Sequence, residues 1–358
     1  MIHLPVSIGE AIDKLSILDI KCKRIKDSEK TIHCQREYDL LYKDLQPYVE
    51  KYPFYYKQLY SINDDIWVMQ DEIRLRPDPQ KCVDILDKND MRFRIKDNIN
   101  QVCSSYIREQ KGYNKRRALV IGHMGLGDHI GLVGAVRYIA LQHDETVVVC
   151  KQQYANNIQS FFADNPSIQL WIVYGAYVNG KYPTDTVQGE SVLYDPKDWT
   201  NVYRSGFYKL PNHGFENLPS CFYLDMGIDP SVRHSHFYLP TTEEANKLYN
   251  LVRDMSYIFV QQVSSSNNIS LIQWDINETF TIDPNKNVYP IDHSWYELAN
   301  KFINCPFIYY TELIKHAKEI HTVDSSFYCL ACYLTLDATV KRCYNRDTGI
   351  LIPTYDFT

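Results

Sequence analysis

The sequence predicts a mixed α/β fold in which a helical N-terminal region precedes two Rossmann-like halves in tandem. Apolar residues recur at helical spacing between residues 8 and 106. A β-branched apolar run then stops at a glycine cluster within residues 117–131, and apolar residues resume at helical spacing. From there to the end, strand-like and helix-like segments alternate, which is typical of parallel sheets with right-handed crossovers.

Composition limits the class of protein. The chain has 358 residues, of which 45% are hydrophobic, so it is long enough for two or three packed domains. Its net charge of -6 does not indicate a nucleic-acid partner, and no apolar run approaches the ~20 residues of a membrane span. The first residues lack a basic region followed by an apolar core. We therefore expect no transmembrane segment and a cytoplasmic location, where the ten scattered cysteines stay reduced.

Residues 1–112 are predicted to form a helical N-terminal domain, either a bundle or coiled-coil-like. Ser7 and Glu10 have capping-box spacing at the start of the first helix. A second helix is expected to be interrupted at Pro47. The third has the most regular apolar seam: Tyr55, Leu59, Ile62, Ile66, Met69 and Ile73. A fourth follows. Such a domain either serves dimerisation or partner docking, here with a homodimer as one expectation, or packs on the neighbouring domain.

The two Rossmann-like halves are predicted at residues 113–240 and 241–358. In the first, the glycine cluster is followed by strands at residues 146–151 and 168–173 with a helix at residues 155–162 between them. Residues 175–240 give no clear pattern beyond a helix near residues 219–226. The second half shows strands at residues 257–263, 287–291, 319–323 and 339–342, with helices at residues 294–302, 312–317 and 327–334.

The glycine cluster excludes several cofactors. Gly125 and Gly127 fit the dinucleotide fingerprint, but Ile130 occupies the third glycine position and no acid follows Lys151 at the end of the next strand. The P-loop is also absent, because no Gly-Lys-Ser/Thr follows. We expect no cofactor. Asp128 is an acid that an anion-binding loop alone does not need. Either it caps the following helix or it has a chemical role.

Two stretches carry a family resemblance. Gly125-Leu126-Gly127-Asp128, followed by an apolar helix with Arg137, and residues 323–327, followed by a helix with Leu330-Ala331, resemble the two signatures of heptosyltransferase-type glycosyltransferases (family 9 and its relatives). The resemblance spans roughly residues 115–345. It implies the GT-B fold, with two Rossmann-like domains facing across a cleft. Residues 5–18 resemble an uncharacterised helical domain found beside such transferases.

The resemblance implies an inverting, metal-independent transferase. A sugar, of hexosyl or heptosyl type, would pass from a nucleotide-sugar donor to a hydroxyl of a glycan, glycolipid or glycoprotein acceptor. Asp128 matches the general base. Asp324, Ser325, Ser326 and Phe327 match the donor-diphosphate turn, and Ser264, Ser265 and Ser266 match a second donor-contacting loop. The alternatives are a plain N-cap at Ser325 or Ser326 and a flexible polar loop at residues 264–266. His123, Gly125, Gly127, His129 and Lys151 are assigned to the acceptor side or its loop, although the two histidines suit interdomain packing equally well.

The sequence also departs from the family. No Lys or Arg occurs between Ser264 and Phe280, where a basic residue is expected, and Ser326 replaces a usual glycine. Lys151, Arg342 and Arg346 remain the candidates to neutralise the diphosphate. No Asp-x-Asp occurs in the chain, which argues against the other main transferase fold and its metal ion, so no metal site is predicted. The alternative function is a non-catalytic GT-B-like binding or scaffold protein that docks partners through its helical domain.

Overall fold

A computed structural model of the chain describes residues 5–112, 115–173, 185–187, 190–192, 194–206, 218–264, 268–269, 271 and 278–353. Its N-terminal part consists of four helices: α1 (Ile8–Arg24), α2 (Ser28–Lys51), α3 (Pro53–Leu75) and α4 (Pro79–Val102). Ser7, Asp27 and Asp78 cap α1, α2 and α4 by accepting hydrogen bonds from backbone amides of the first turn. The Ser7 cap joins Oγ to the Glu10 amide nitrogen at 3.2 Å.

The prediction that Pro47 interrupts the second helix is wrong. Helix α2 continues through Pro47 to Lys51, and the chain turns at Tyr52 and Pro53 instead. A proline inside a helix removes one hydrogen bond, here the one that would reach the carbonyl of Lys43. Lys43 and Pro47 both lie on the exposed side of α2, where water can hydrogen-bond to that carbonyl. The loss is therefore small enough for the helix to pass through.

Only part of the helical seam is buried. Leu59, Ile62 and Ile66 of α3 are in the domain core, whereas Met69 and Ile73 are partly exposed. The N-terminal part of α2, the end of α3 and the start of α4 carry exposed apolar side chains. We call this part the distal arm; its exposed apolar residues are Ile32, Leu40, Leu75, Val83 and Leu86.

The first sheet contains four parallel strands in the order β3-β2-β1-β6. Along the chain it is built from β1 (Arg117–Ile121), α5 (Leu126–Ala140), β2 (Glu145–Lys151), α6 (Ala155–Phe161), β3 (Ile168–Val173), a short hairpin of β4 (Asp185–Val187) and β5 (Glu190–Val192), and β6 (Asn201–Arg204). Strand β6 lies within residues 175–240, where no clear pattern predicts strands. Its four residues are too short a run to show a period.

The second sheet also contains four parallel strands, in the order β10-β9-β7-β8. Helices α7 (Leu218–Asp225), α8 (Val232–Ser235) and α9 (Glu243–Asn250) lead into it. The sheet unit itself comprises β7 (Tyr257–Gln261), β8 (Phe280–Ile282), α10 (Tyr296–Asn300), α11 (Tyr310–Lys315), β9 (Glu319–Val323), α12 (Ser326–Ala331) and β10 (Val340–Tyr344).

One strand of the second sheet was predicted in the wrong place. Residues 287–291 form no strand, and β8 instead precedes them at Phe280–Ile282. The side chain of Tyr289 packs against Phe280 and its hydroxyl accepts a 2.6 Å hydrogen bond from the amide of Thr281. Tyr289 therefore covers the edge strand β8 rather than extending the sheet.

A buried ion pair joins the helical domain to the first sheet. Arg137 of α5 is 1% exposed and makes two hydrogen bonds to Asp164, at 2.7 and 3.1 Å. Its guanidinium also donates to the carbonyls of Phe161 and Tyr238, each at 2.8 Å. The hydroxyl of Tyr55, from α3, donates to the carbonyl of Asp164 at 2.7 Å. Residues from the helical domain, the first sheet unit and the segment before α9 thus meet at one fully buried charge.

A second ion pair, between Arg94 and Asp144, holds α4 against the amino edge of the first sheet. Arg94 donates from Nε to Asp144 at 2.9 Å and from Nη1 to the carbonyl of Leu141, just after α5, at 3.3 Å. Asp144 in turn accepts from the amide of Arg116 at 2.8 Å. The helical domain is therefore fixed to the first sheet both at the last turn of α5 and just past its end.

Candidate functional site

Each sheet has a switch point in its strand order, and the predicted motifs follow the strands at those points. Strand β1 has β2 on one side and β6 on the other, and β7 has β8 on one side and β9 on the other. In open parallel sheets, ligands bind outside the carboxyl ends of strands where the order reverses. The glycine loop follows β1, and Asp324 follows β9. Both motifs therefore occupy the edges where sites are found.

Asp128 is held by the loop that precedes it. It is the third residue of α5, and its Oδ2 accepts a 3.1 Å hydrogen bond from the amide of Gly125. This is the capping role that the sequence allowed. A carboxylate offers about four acceptor positions on its two oxygens, and the bond from Gly125 occupies one of them. The cap fixes the direction of the carboxylate, which a catalytic acid or base also requires.

His123 bridges the two strands at the first switch point. Its Nε2 lies 2.9 Å from the carbonyl oxygen of Gly206, just after β6, and its ring packs edge-to-face on Phe222. Gly206 has a φ of 78°, and a Cβ there would lie 2.6 Å from His123 Nε2, so only glycine fits. The amide of Gly206 is held in turn by Asp225 at 2.9 Å. His123 is thus a fixed side chain in the wall of this crevice.

His129, on α5, lies in the core at 3% exposure, and its Nε2 has no hydrogen-bond partner among the described residues. The structure thus places it in packing between elements, one of the two positions the sequence allowed. Burial lowers the pKa of His129 to about 4. The ring is therefore neutral near pH 7.

This burial predicts an acid-sensitive stability. The unfolded chain binds a proton at His129 near pH 6.5 and the folded protein only near pH 4, so its contribution to the free energy of unfolding falls as pH drops through that window. Between pH 7 and 4.5 the loss is about 2–3 kcal/mol. Urea unfolding at both pH values should show a smaller pH effect in His129→Gln than in wild type. His33→Gln, at an exposed histidine, is the control. Equal pH effects in wild type and His129→Gln would contradict the assignment.

The second motif forms a tight turn at the end of β9. Ser325 is the N-cap of α12: its Oγ accepts from the amide of Phe327 at 3.3 Å and donates to Gln261 Oε1 at 2.8 Å. Asp324 lies 3.3 Å from the guanidinium of Arg346, just after β10. The Phe327 ring is buried against Phe307, so only its backbone belongs to the turn. The turn is therefore held by residues from the ends of β7, β9 and β10.

The two motifs are in contact. A Cβ built on Gly127 would lie 3.6 Å from Ser326 Cα and 3.0 Å from Cys329 Sγ, so the start of α5 packs directly on the start of α12. Burial, and then nearby negative charges that include Asp324 and Asp128, raise the pKa of the Cys329 thiol. Both carboxylates are therefore close enough to Cys329 to disfavour its thiolate. The carboxyl edges of the two sheets meet here, and we call this place the junction site.

The remaining predicted residues are placed less centrally. Lys151 ends β2 at the same edge of the first sheet as His123, one strand further out. Ser264 follows β7 and is partly exposed, whereas Ser265 and Ser266 lie outside the described residues. Of the three basic candidates, Arg346 is the one paired with Asp324. Arg342, on β10, is exposed.

Sequence reasoning missed two polar residues at the carboxyl edge of the second sheet. Gln261 is buried at the end of β7 and positions Ser325, and Asp283 is buried just after β8. Burial raises the pKa of Asp283, although hydrogen bonds that include a 3.0 Å bond from Gln262 oppose this. The available signal was two consecutive glutamines at the end of an apolar strand, where a core position would normally be apolar.

Two features are absent from the part of the chain that the structure describes. No group of three or more His, Cys, Asp or Glu side chains there is arranged to hold a metal ion. None of the helices there combines the length and apolar character needed to cross a bilayer.

Comparison with known proteins gives a partial picture. Residues 2–120 match a family of unknown function (DUF6165). No curated protein matches the chain. Among solved structures, the iron-containing dodecameric glycosyltransferase TibC from enterotoxigenic E.coli H10407 aligns with a TM-score of 0.38 and 15% identity, over 71% of each chain.

Two further solved structures align at a similar level. The glycosyl transferase family 9 protein from Veillonella parvula DSM 2008 aligns with a TM-score of 0.38 and 13% identity, over 63% of this chain and 86% of that chain. The dodecameric iron-containing heptosyltransferase TibC in complex with ADP-D-beta-D-heptose aligns with a TM-score of 0.36 and 14% identity, over 71% of each chain.

Proposed function

We propose that the chain is a glycosyltransferase of the GT-B type that moves a sugar from a nucleotide-sugar to a hydroxyl acceptor, with inversion and without a metal ion. The observation that carries the proposal is the junction site. The acid of the first motif and the serine turn of the second motif meet where the carboxyl edges of two parallel sheets come together. A two-substrate reaction needs such a place, because each sheet can hold one substrate and present it to the other.

The donor is assigned to the second sheet. Its diphosphate would lie at the turn formed by Ser325 and Ser326, where the Ser326 hydroxyl and the start of α12 suit an anion. Arg346 is the cation placed to neutralise it, since its guanidinium already lies 3.3 Å from Asp324 in the same turn. Arginine suits this position because its planar fork matches phosphate oxygens.

The acceptor is assigned to the first sheet. Its hydroxyl oxygen attacks the anomeric carbon of the donor sugar as the bond from that carbon to the diphosphate oxygen breaks. The bonding pair leaves with the nucleoside diphosphate, and the hydroxyl proton passes to Asp128. The bond from the Gly125 amide keeps the Asp128 carboxylate directed during this transfer. A single displacement of this kind inverts the anomeric centre.

Donor binding tests the proposal directly. We expect the melting temperature of the full chain to rise with one of the UDP-, GDP-, ADP- and CMP-sugars, ADP-heptose included, because a ligand that binds only the folded state stabilises it. In Arg346→Gln the affinity for that donor should fall by about tenfold, since a charge-assisted bond to phosphate is lost. Arg253→Gln, at an exposed arginine away from the turn, is the control. Absence of both binding and turnover with every donor would overturn the proposal.

A second candidate function is favoured by the distal arm. Its exposed apolar side chains, with Leu75 at 89% and Leu86 at 66% exposure, suit docking of a partner or of a second copy of the chain. In that case the sheets would form a binding or scaffold unit without catalysis. The two candidates differ in the donor experiment: a scaffold binds partners through residues 1–112 and turns over no nucleotide-sugar.

A further inference from the structure

A cavity lies on the opposite side of the first sheet from the junction site. Its volume is about 390 Å³, within the range of small-molecule sites. One wall comes from the end of α4 and the segment after it, which includes Arg94 and Arg108. The other comes from the starts of β2 and β3, which include Glu145 and Gln169. The cavity therefore lies between the helical domain and the amino edge of the sheet, where the proposed transfer reaction has no role for it.

The carboxylates of the cavity wall are already paired. Asp144 binds Arg94 at 2.9 Å, and Glu145 binds Arg117 at 3.0 Å. Glu109 binds Lys96 at 2.8 Å. A fourth, Asp97, accepts from the side-chain amide of Gln101 at 2.6 Å. Three of the four carboxylates are thus paired with a cation, and the fourth accepts from a neutral amide.

The positive charge of the wall is not fully compensated. Arg108 and Lys115 line the cavity and make no ion pair with any residue in the described ranges. Arg94 is 5% exposed, and although its Nε and Nη1 are bonded, its Nη2 is buried without a hydrogen-bond partner in the described part of the chain. An unsatisfied buried donor on a charged group is costly, by more than the ~1–3 kcal/mol of a neutral group. Since Nη2 has almost no exposed surface, an anionic oxygen in the cavity would remove this cost once the guanidinium shifts toward the cavity.

We infer that this cavity binds a small phosphate-bearing polar molecule, such as a sugar phosphate or a nucleotide. The phosphate binds Arg94 Nη2 together with Arg108 and Lys115, because a multiply charged oxygen group is the ligand that three cationic donors share. The volume exceeds what phosphate alone fills. The rest of the wall supplies amide and hydroxyl groups from Asn98, Gln101, Ser167 and Gln169, which suit sugar hydroxyls or a base.

The test uses isothermal titration of the full chain with inorganic phosphate, glucose 6-phosphate, AMP and unphosphorylated glucose. We expect glucose 6-phosphate or AMP to bind at least ~tenfold more tightly than inorganic phosphate, because the polar wall adds contacts, and glucose not to bind detectably. In Arg108→Gln with Lys115→Gln the affinity should fall by at least ~tenfold. The preferred ligand, sugar phosphate or nucleotide, identifies the class.

Two controls separate the cavity from other causes. Lys30→Gln with Lys247→Gln removes the same charge from exposed sites away from the cavity and should leave binding unchanged. Arg346→Gln alters the junction site and should leave binding at the cavity unchanged. A ligand whose affinity falls in Arg346→Gln is therefore bound at the junction site and not in the cavity. The inference is overturned if neither organic phosphate binds, if inorganic phosphate binds as tightly as both, or if the cavity variant binds like wild type.

Discussion

Asp128→Asn should lower the rate of glycosyl transfer by about 10²–10⁴-fold, the contribution of a positioned general base. Asparagine keeps a side-chain oxygen that can accept from the Gly125 amide, so the helix cap and the loop should survive. It removes the capacity to take up a proton. The expected result is therefore loss of turnover with an unchanged fold, measured as nucleoside diphosphate released per enzyme and as melting temperature.

The cap and the base interpretations of Asp128 predict different outcomes for this variant. If Asp128 only caps α5, then Asp128→Asn, with a cap residue of similar quality, changes neither rate nor stability. If it is the base, Asp128→Asn loses rate alone, and Asp128→Ala loses rate and also about 1 kcal/mol of stability with the cap. Donor affinity should remain in both variants, because the donor is assigned to the second sheet. Wild-type turnover in Asp128→Asn would refute the catalytic role.

Arg137→Met should destabilise the fold by about 3–5 kcal/mol, because it leaves the carboxylate of Asp164 buried without its partner. The same substitution removes the donors to the carbonyls of Phe161 and Tyr238 and the cation that lies 5.2 Å from the ring of Phe54 and 5.0 Å from the ring of Tyr238. Urea unfolding followed by far-UV circular dichroism measures the change. Lys247→Met, which breaks an exposed pair with Glu243, is the control and should cost less than about 1 kcal/mol.

A double variant distinguishes the charge from the packing. In Arg137→Met with Asp164→Leu no buried charge remains, so part of the lost stability should return. If the double variant is less stable than Arg137→Met by the full cost of a second core substitution, the uncompensated carboxylate was not the cause. A cost below about 1 kcal/mol for Arg137→Met alone would show that Asp164 finds other donors.

The sequence predicts most elements because their patterns are local. The Ser7 cap, the seam of α3 and the apolar strands β1, β2 and β9 are each defined by residues close together in the sequence. The misplaced strand and the unpredicted β6 are short, and their positions depend on pairing with distant strands. Pro47 shows the converse case, in which a local breaker is tolerated because the helix around it is exposed and long.

The candidate site likewise has parts that the sequence predicts and parts that depend on the fold. Gly125, Asp128 and the Asp324-Ser325-Ser326 turn were visible because each motif is contiguous. That the two motifs touch at Gly127 depends on how α5 and α12 pack, which no spacing along the chain encodes. The partnership of Gln261 with Ser325, 64 residues apart, and the choice of Arg346 among three basic residues likewise depend on strand order.

Helix α5 is a rigid element whose two ends contact different parts of the molecule. Its first turn places Asp128 at the junction site. Nine residues later, about 14 Å along the axis, Arg137 donates to the carbonyl of Tyr238 and pairs with Asp164, whose carbonyl accepts from Tyr55 of the helical domain. Just past its end, the carbonyl of Leu141 accepts a hydrogen bond from Arg94 of α4. A helix does not easily change length, so a tilt imposed at the far end must displace the acid at the near end. The orientation of the Asp128 carboxylate therefore depends on how the N-terminal domain packs against the far end of α5.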